Sequence, residues 1–192
     1  MEPTKKSLMS RSTLIIIAIV VIGIAYFGLT YNSFVKQNEA VNAGWAQVES
    51  QYQRRFDLIP NLVESVKGVM KQEQAIFTEL AEARTKYAGA ATPNERAAAA
   101  GGVETSLARL LVVMENYPQL KSSDTVQSLI AEIAGTENRI AVERMRYNEL
   151  VRDYNVGVKT FPRSVAANLF GFETRNMFEA TSGAEEAPAV KF

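Results

Sequence analysis

The sequence contains no cysteine and no histidine among its 192 residues. Their absence excludes disulfide bonds, thiolate and imidazole metal ligands, cysteine nucleophiles and histidine proton relays. It also removes the residue to which a lipoprotein attaches its lipid. Catalysis would have to depend on Asp, Glu, Lys, Tyr or Ser alone, so we expect no enzymatic activity, no metal and no cofactor.

An excess of charge is also missing, since 21 Lys and Arg residues balance 21 Asp and Glu residues. A balanced chain has no electrostatic preference for nucleic acid. No glycine-rich phosphate loop is present, so we expect no nucleotide and no small-molecule substrate. No segment alternates between polar and apolar residues with period two, which excludes a sheet and predicts an all-α protein.

A long apolar run does occur, at residues 14–29 (LIIIAIVVIGIAYFGL), and it carries no charge. Extended to residues 13–31, it approaches the roughly 20 residues that a transmembrane helix needs. Three cations precede the run, and Lys36 is the only cation in the twenty residues after it. The positive-inside rule then predicts a cytoplasmic N-terminus and a domain on the outer face, periplasmic or extracellular, of a bacterial cytoplasmic membrane. The preceding cations are Lys5, Lys6 and Arg11.

A cleaved signal peptide is the alternative, because Gly23 and Ala25 are small residues two apart, as a signal peptidase requires. The apolar run continues to Leu29, which favours an uncleaved anchor. The expected organisation is a cytoplasmic tail, a transmembrane helix, a helical bundle and a mobile C-terminal tail, at residues 1–12, 13–31, 32–172 and 173–192.

Apolar residues recur at intervals of three and four from Tyr31 to about Tyr87, with one gap between Val69 and Ile76, which predicts one very long helix. A second helix is expected from Pro93 to about Glu115, with Thr92 and Glu95 forming a capping box. A third is expected from about Asp124 to Val158, followed by a short helix or turn. These helices form an antiparallel bundle with three long helices, or four if the first splits near Pro60.

The split depends on the stretch RRFDLIPNL, residues 54–62, because a proline inside a helix removes one hydrogen bond and favours a bend. Asp57 is a candidate cap for a new helix beginning near Pro60. We favour a kinked but continuous helix, since no turn residues flank Pro60 and the apolar stripe keeps its phase.

The charges around Pro60 have three interpretations. They form a polar layer that fixes the bundle register, a surface for a partner protein, or a catalytic pair of Asp57 and Glu64 with an arginine binding an anion. The first is favoured, because helix-borne acids seven apart are weak evidence for a catalytic site. The proposed layer consists of Arg54, Arg55, Asp57, Pro60, Asn61 and Glu64 against Glu137, Asn138 and Arg139.

A Tyr-Asn pair followed by Val four residues after the Tyr occurs three times, at Tyr31, Tyr147 and Tyr154. Tyr and Val four apart share a helix face, and the adjacent asparagine amide is placed to bond to a partner helix. Asn148 and Asn155 are the two candidates on the third helix. The alternative is chance recurrence, in which these are ordinary core tyrosines.

At these stretches the sequence resembles the LemA family of bacterial membrane proteins. The resemblance rests on residues 31–68 (YNSFVKQNEAVNAGWAQVESQYQRRFDLIPNLVESVKG), EARTKYAGA, YPQLKSSD, TENRIAVERMRYNELVRDYN and FP…LFGF. It implies a single N-terminal anchor followed by an antiparallel helical bundle, and no established reaction. One departure is Glu143-Arg144-Met145, where the family pattern reads more like Ala-Arg-Arg.

We therefore predict a single-pass membrane protein that acts by binding other proteins, including copies of itself as a homo-oligomer. The alternative is an accessory subunit of a membrane-associated envelope protease or hydrolase. The C-terminal Pro-Ala-Val-Lys-Phe carries a further hypothesis, in which Val190 and Phe192 dock in a groove. A frayed terminus is the alternative there.

Overall fold

A computed structural model describes residues 11–178, and every regular element in that range is a helix. The prediction of an all-α protein is confirmed. The helices are α1 (Arg11–Lys67), α2 (Gln74–Gly89), α3 (Pro93–Met114), α4 (Pro118–Lys121), α5 (Asp124–Lys159) and α6 (Arg163–Phe170).

Helix α1 continues through Pro60 without a break, as the unbroken apolar stripe predicted. Proline inside a helix costs about 3 kcal/mol. On both sides of it, however, α1 buries large apolar side chains, each contributing about 1.5–3 kcal/mol. Helix continuity is therefore favoured over a corner at this position. The buried side chains are Phe56, Ile59, Leu62 and Val66.

The expectation that this helix reaches Tyr87 is wrong, because α1 ends at Lys67 and α2 begins at Gln74. Gly68 weakens the helix, and the amides of Val69 and Met70 both donate to the Val66 carbonyl oxygen in a turn, at 3.0 and 2.9 Å. The reversal brings the Tyr87 ring to 4.6 Å from the ring of Phe56. A straight helix would separate them by about 45 Å. The additional helix, α2, therefore arises from this turn and not from a split at Pro60.

The start of α3 has the predicted capping box. The Thr92 hydroxyl accepts from the Glu95 amide at 3.2 Å, and the Glu95 carboxylate accepts from the Thr92 amide at 3.1 Å. Amide donors from Ala91 and Thr92 stabilise the charged carboxylate and so lower the pKa of Glu95. The amides of Thr92 and Glu95, which have no acceptor within the helix, and that of Ala91 before it thus have partners.

The chain divides into two compact units, and α1 and α5 contribute to both. The bundle unit contains residues 41–151 and 176–178 of the described chain. The anchor unit contains residues 11–40 and 152–175.

In the bundle unit α1 and α5 run antiparallel, since Tyr52 meets Arg144 and Arg55 meets Glu137. Gly44 allows their close approach, because a Cβ there would lie 2.7 Å from the side chain of Leu150. The buried apolar core of this unit includes Val48, Tyr52, Ile59, Leu62, Leu80, Val103, Leu107, Leu110, Ile133 and Ile140.

In the anchor unit the apolar part of α1 is the clearest candidate membrane span, with mean hydropathy 2.5 and only 6% of its window buried. Helix α3 also passes this test of length and composition, but it buries Ala100, Val103 and Leu107 in the bundle core. The anchor unit's own core includes Phe34 and Tyr154.

Helix α6 ends at Gly171, whose φ of 73° is a left-handed conformation that glycine adopts without strain. Residues 172–178 follow α6 without helix or turn and form the extended segment. The mobile tail was predicted to begin at residue 173, and within that range Arg175, Asn176 and Phe178 make hydrogen bonds to α5. Residues 179–192, including the proposed docking residues Val190 and Phe192, lie outside the described residues.

Candidate functional site

A charge network joins three helices inside the bundle unit. Arg55 of α1 is only 7% exposed and forms an ion pair with Glu137 of α5. Glu104 of α3 lies between two arginines, 3.8 Å from Arg55 and 2.8 Å from Arg144. Arg144 also donates through Nε to the Tyr52 hydroxyl at 2.9 Å.

The surroundings of this network shift the pKa of two of its members, Tyr52 and Arg144. Burial raises the pKa of Tyr52, and Arg144 only partly opposes that shift, so the phenol stays protonated. Burial would lower the pKa of Arg144, but Tyr52 and Glu104 outweigh it and the pKa is raised. The network is suited to fixing the register of the helices.

The predicted polar layer is only partly brought together. Arg55 and Glu137 meet, whereas Arg54 reaches Glu132 at 3.6 Å across an exposed surface. Glu64 pairs with Lys67 at 3.5 Å, which is the expected spacing of three along the helix. The remaining members are exposed or half-buried outside the network, namely Asp57, Pro60, Asn61, Asn138 and Arg139.

Sequence analysis missed three members of the network: Tyr52, Glu104 and Arg144. Tyr52 lies within the range of helical apolar spacing, residues 31–87, and so has the spacing of a core residue, while nothing in α3 distinguishes Glu104 from a surface acid. Arg144 is the middle residue of Glu143-Arg144-Met145, the triplet that departs from the family pattern. It is the one residue of the three that belongs to the charge network. Its neighbour Glu143 pairs locally with Arg146 at 2.7 Å, and Met145 is exposed.

In the bundle unit Asn148 binds the backbone of the extended segment through both atoms of its amide. Its Nδ2 donates to the Phe178 carbonyl oxygen at 2.9 Å, and its Oδ1 accepts from the Phe178 amide at 2.8 Å. The Tyr147 hydroxyl donates to the carbonyl oxygen of Asn176 at 3.3 Å. This part of α5 therefore holds the segment mainly through its main chain.

In the anchor unit Asn155 makes the same pair of bonds to Arg175. Its Nδ2 donates to the Arg175 carbonyl oxygen at 2.8 Å, and its Oδ1 accepts from the Arg175 amide at 2.8 Å. The Arg175 side chain donates to the Asn38 side-chain oxygen, also at 2.8 Å. Tyr154 beside it is 2% exposed, and burial raises its pKa.

The expectation that these amides bond to a partner helix is therefore wrong for Asn148 and Asn155. Helical amides and carbonyls bond along their own helix and leave few groups for an outside amide. In extended backbone the N–H and C=O of one residue point to the same side. An asparagine amide presents one donor and one acceptor at the matching separation.

Aromatic rings also contact the extended segment in the bundle unit. Phe178 stacks on Trp45 at 5.6 Å between ring centroids and meets Tyr147 edge-on at 5.4 Å. The guanidinium of Arg144 lies 5.4 Å from the Phe178 ring centre, a cation–π distance. Arg144 thus contacts both the charge network and the ring of Phe178.

One further surface feature of the bundle unit contains Asp57. Asp57 lines an open groove of about 570 Å³ with Arg84 and Arg96. Arg96 is itself paired with Glu49. Within residues 11–178 no three acidic side chains gather closely enough to hold a metal ion.

Comparison with known proteins gives a family. The model of the LemA family matches residues 44–192. Two magnetosome proteins of Paramagnetospirillum magneticum, MamQ 1 and MamQ 2, are each 29% identical over 186 aligned residues, covering 83% of this chain and 68% of each relative. MamQ of Magnetospirillum gryphiswaldense is 27% identical over 176 residues, covering 78% of this chain and 65% of its own length. The family match takes in most of the chain, including both asparagine sites on α5, and the chain therefore belongs to the LemA family.

Proposed function

We propose that this chain is a single-pass membrane protein that binds other proteins through its helical bundle and catalyses no reaction. The observation that carries the proposal is the capture of extended backbone by the asparagine amides of α5. Asn148 and Asn155 each satisfy the donor and the acceptor of one residue. Such recognition depends little on side chains, so it suits an extended segment from another chain as well as the protein's own.

Self-assembly is the specific form of binding that we propose. Arg175, Asn176 and Phe178 bond to α5 within one copy, and the same contacts would hold the segment of a second copy when two chains exchange it. A photo-reactive amino acid at Met177, which is 42% exposed, tests this in native membranes. We expect adducts of two chains, joined between residue 177 of one copy and α5 of the other.

Val112 is the matched control position, since it is also exposed and belongs to the same unit. A probe there should give no adduct with α5 of a second copy. Adducts confined to single chains at every protein concentration would contradict self-assembly by this route. Adducts with one membrane protease or hydrolase would instead favour the alternative role as an accessory subunit.

The proposed location is the cytoplasmic membrane, with the N-terminus inside and the bundle outside. Support comes from the three cations before the apolar run and from the exposure of that run. Alkaline phosphatase fused after the bundle should be active, because it folds only after export. An inactive phosphatase fusion together with a fluorescent cytoplasmic reporter at the same position would reverse this topology.

A further inference from the structure

Helix α6 places its smallest side chains inside and its largest apolar side chains outside. Ala166 and Ala167 are fully buried, whereas Val165 is 48% and Leu169 is 67% exposed. Phe161, just before the helix, is 83% exposed. A helix on a water-soluble surface has the opposite arrangement, with large apolar residues facing the core. A cluster of exposed apolar side chains marks an interaction surface.

The exposed residues are neighbours in the helix. Val165 and Leu169 are four residues apart and so lie on one face of α6. Ser164 and Asn168 are polar residues beside that face. The chain from Arg163 to Phe170 contains no acidic residue, so no carboxylate opposes an approach to anionic lipid headgroups. This composition is typical of a helix lying in a membrane interface.

Contacts within the anchor unit place α6 beside the end of the candidate membrane span. The ring of Phe170 lies 5.0 Å from Tyr31 and 6.5 Å from Phe27, measured between centroids. Phe27 and Tyr31 stand at the C-terminal end of the apolar run. Aromatic side chains are enriched at this level of a membrane, where the hydrocarbon meets the headgroups. The exposed face of α6 is thus continuous with a surface that already requires lipid.

The only charged residue of α6 points toward the protein. The Arg163 guanidinium lies 4.7 Å from the centre of the Phe34 ring and donates to Ser33 and Gln37, each at 3.2 Å. An added Cβ on Gly157 would lie 3.1 Å from this guanidinium, so the glycine leaves room for it. Arg163 therefore fixes the rotation of α6 and leaves its apolar side outward.

We propose that α6, with Phe161, is a second membrane contact that lies in the headgroup region of the outer leaflet. Its occupant is the lipid bilayer. The inference rests on the proposed anchoring through α1, and it adds that the anchor unit touches the membrane along a helix outside the span. An anchor unit held at two such places is more restricted in its orientation relative to the membrane than one held by the span alone.

Because the chain has no natural cysteine, single cysteines can be labelled at chosen positions of the full-length protein. Val165→Cys and Leu169→Cys carry an environment-sensitive fluorophore in vesicles of phosphatidylcholine and phosphatidylglycerol. Ile22→Cys, within the span, is the lipid control. Val112→Cys is the matched control, since Val112 is 64% exposed and belongs to the bundle unit. Brominated lipid chains and aqueous iodide are the two quenchers.

We expect brominated lipid to quench the labels at 165 and 169 strongly, and iodide to quench them several-fold less than the label at 112. Iodide quenching at 165 and 169 equal to that at 112, with Ile22→Cys still quenched by lipid, would overturn the inference and leave the anchor intact. Protection from both quenchers would overturn it too, because protein would then cover this face. Iodide quenching at position 22 would reject the anchor and the inference together.

Discussion

The bundle unit and helix α6 of the anchor unit differ in which apolar side chains they bury. In the bundle unit large apolar side chains such as Leu62 and Leu107 are buried, and even a buried arginine, Arg55, has carboxylate partners. In the anchor unit Ala166 and Ala167 are inside while Leu169 is outside. One arrangement suits water and the other suits lipid. The exposure of an apolar side chain therefore has to be interpreted according to whether its surface contacts water or lipid.

Helix α1 shows the same contrast within one element. Residues 14–24 expose nearly every large apolar side chain, with Ile22 at 68% and Ile24 at 69%. Farther along, Leu62 and Val66 are fully buried and their neighbours on the other faces are polar. A stripe three or four apart indicates packing against protein, whereas an apolar surface all round indicates lipid.

Truncating one leucine in each unit tests this difference in burial most directly. Leu62→Ala should lower the free energy of unfolding by about 2–5 kcal/mol, because it leaves a cavity in a packed core. Leu169→Ala should change it by less than about 0.5 kcal/mol, because the side chain is already outside. Chemical unfolding of the full chain in detergent, followed by circular dichroism, measures both. Equal losses would mean that α6 is packed on both sides.

The next effect concerns the buried charge. Glu137→Ala leaves Arg55 with only the more distant Glu104, and we expect a loss of about 2 kcal/mol, less than for a buried charge left wholly unpaired. Glu132→Ala, which removes the exposed partner of Arg54, should cost less than about 1 kcal/mol. Denaturant midpoints compare the two variants.

A double variant distinguishes an unpaired charge from lost packing. Arg55→Met in the Glu137→Ala background removes the buried cation and keeps most of its volume. We expect it to recover at least part of the lost stability. If the double variant is less stable than Glu137→Ala, Arg55 acts mainly through packing and not through its charge.

Most of the fold follows from sequence patterns. Apolar spacing predicted the long helices, their continuity at Pro60 and the candidate span, because burial of a stripe requires a fixed helical phase. The capping box at Thr92 and Glu95 is a local motif and was predicted correctly. The end of α1 at Lys67 was missed, because apolar residues resume at the helical spacing after the one gap in the stripe, between Val69 and Ile76, and that gap is where the chain reverses.

The candidate site was harder to predict. A sequence indicates which residues lie on a face, but it does not indicate which distant element meets that face. Asn148 and Asn155 were singled out by their spacing, but each bonds to an extended segment about 20 to 30 residues later in the chain and not to a partner helix. Glu104 and Arg144 meet through the tertiary fold, and no local motif marks them as a pair.

A smaller effect tests the contact between α5 and the extended segment in the bundle unit. Asn148→Ala removes both bonds to Phe178, and we expect a loss of about 1 kcal/mol and roughly fivefold faster hydrogen exchange of the Phe178 amide. Asn138→Ala, at an exposed asparagine of the same helix, should leave that exchange unchanged. Equal exchange rates in the two variants would show that the aromatic contacts alone hold the segment.

The smallest expected effect on stability concerns the hydroxyl of Tyr87 in the bundle core. Its hydroxyl is buried and has no hydrogen-bond partner within residues 11–178. Tyr87→Phe removes an unsatisfied group, so we expect a neutral result or a gain below about 1 kcal/mol at neutral pH. Tyr117→Phe is the control, because the Tyr117 hydroxyl donates to Glu73 at 3.1 Å and its removal should slightly destabilise.

Alkaline pH gives a second test of the same residue. Burial raises the pKa of Tyr87 to about 12, above the value of about 10 for an unfolded tyrosine. Between these values the unfolded chain loses the proton and the folded chain keeps it, so stability falls as pH rises. In Tyr87→Phe this fall should be smaller, with the remainder due to other buried tyrosines such as Tyr52. An identical fall in both proteins, measured by denaturant unfolding from pH 9 to 12, would mean that the Tyr87 hydroxyl is solvated in the folded protein.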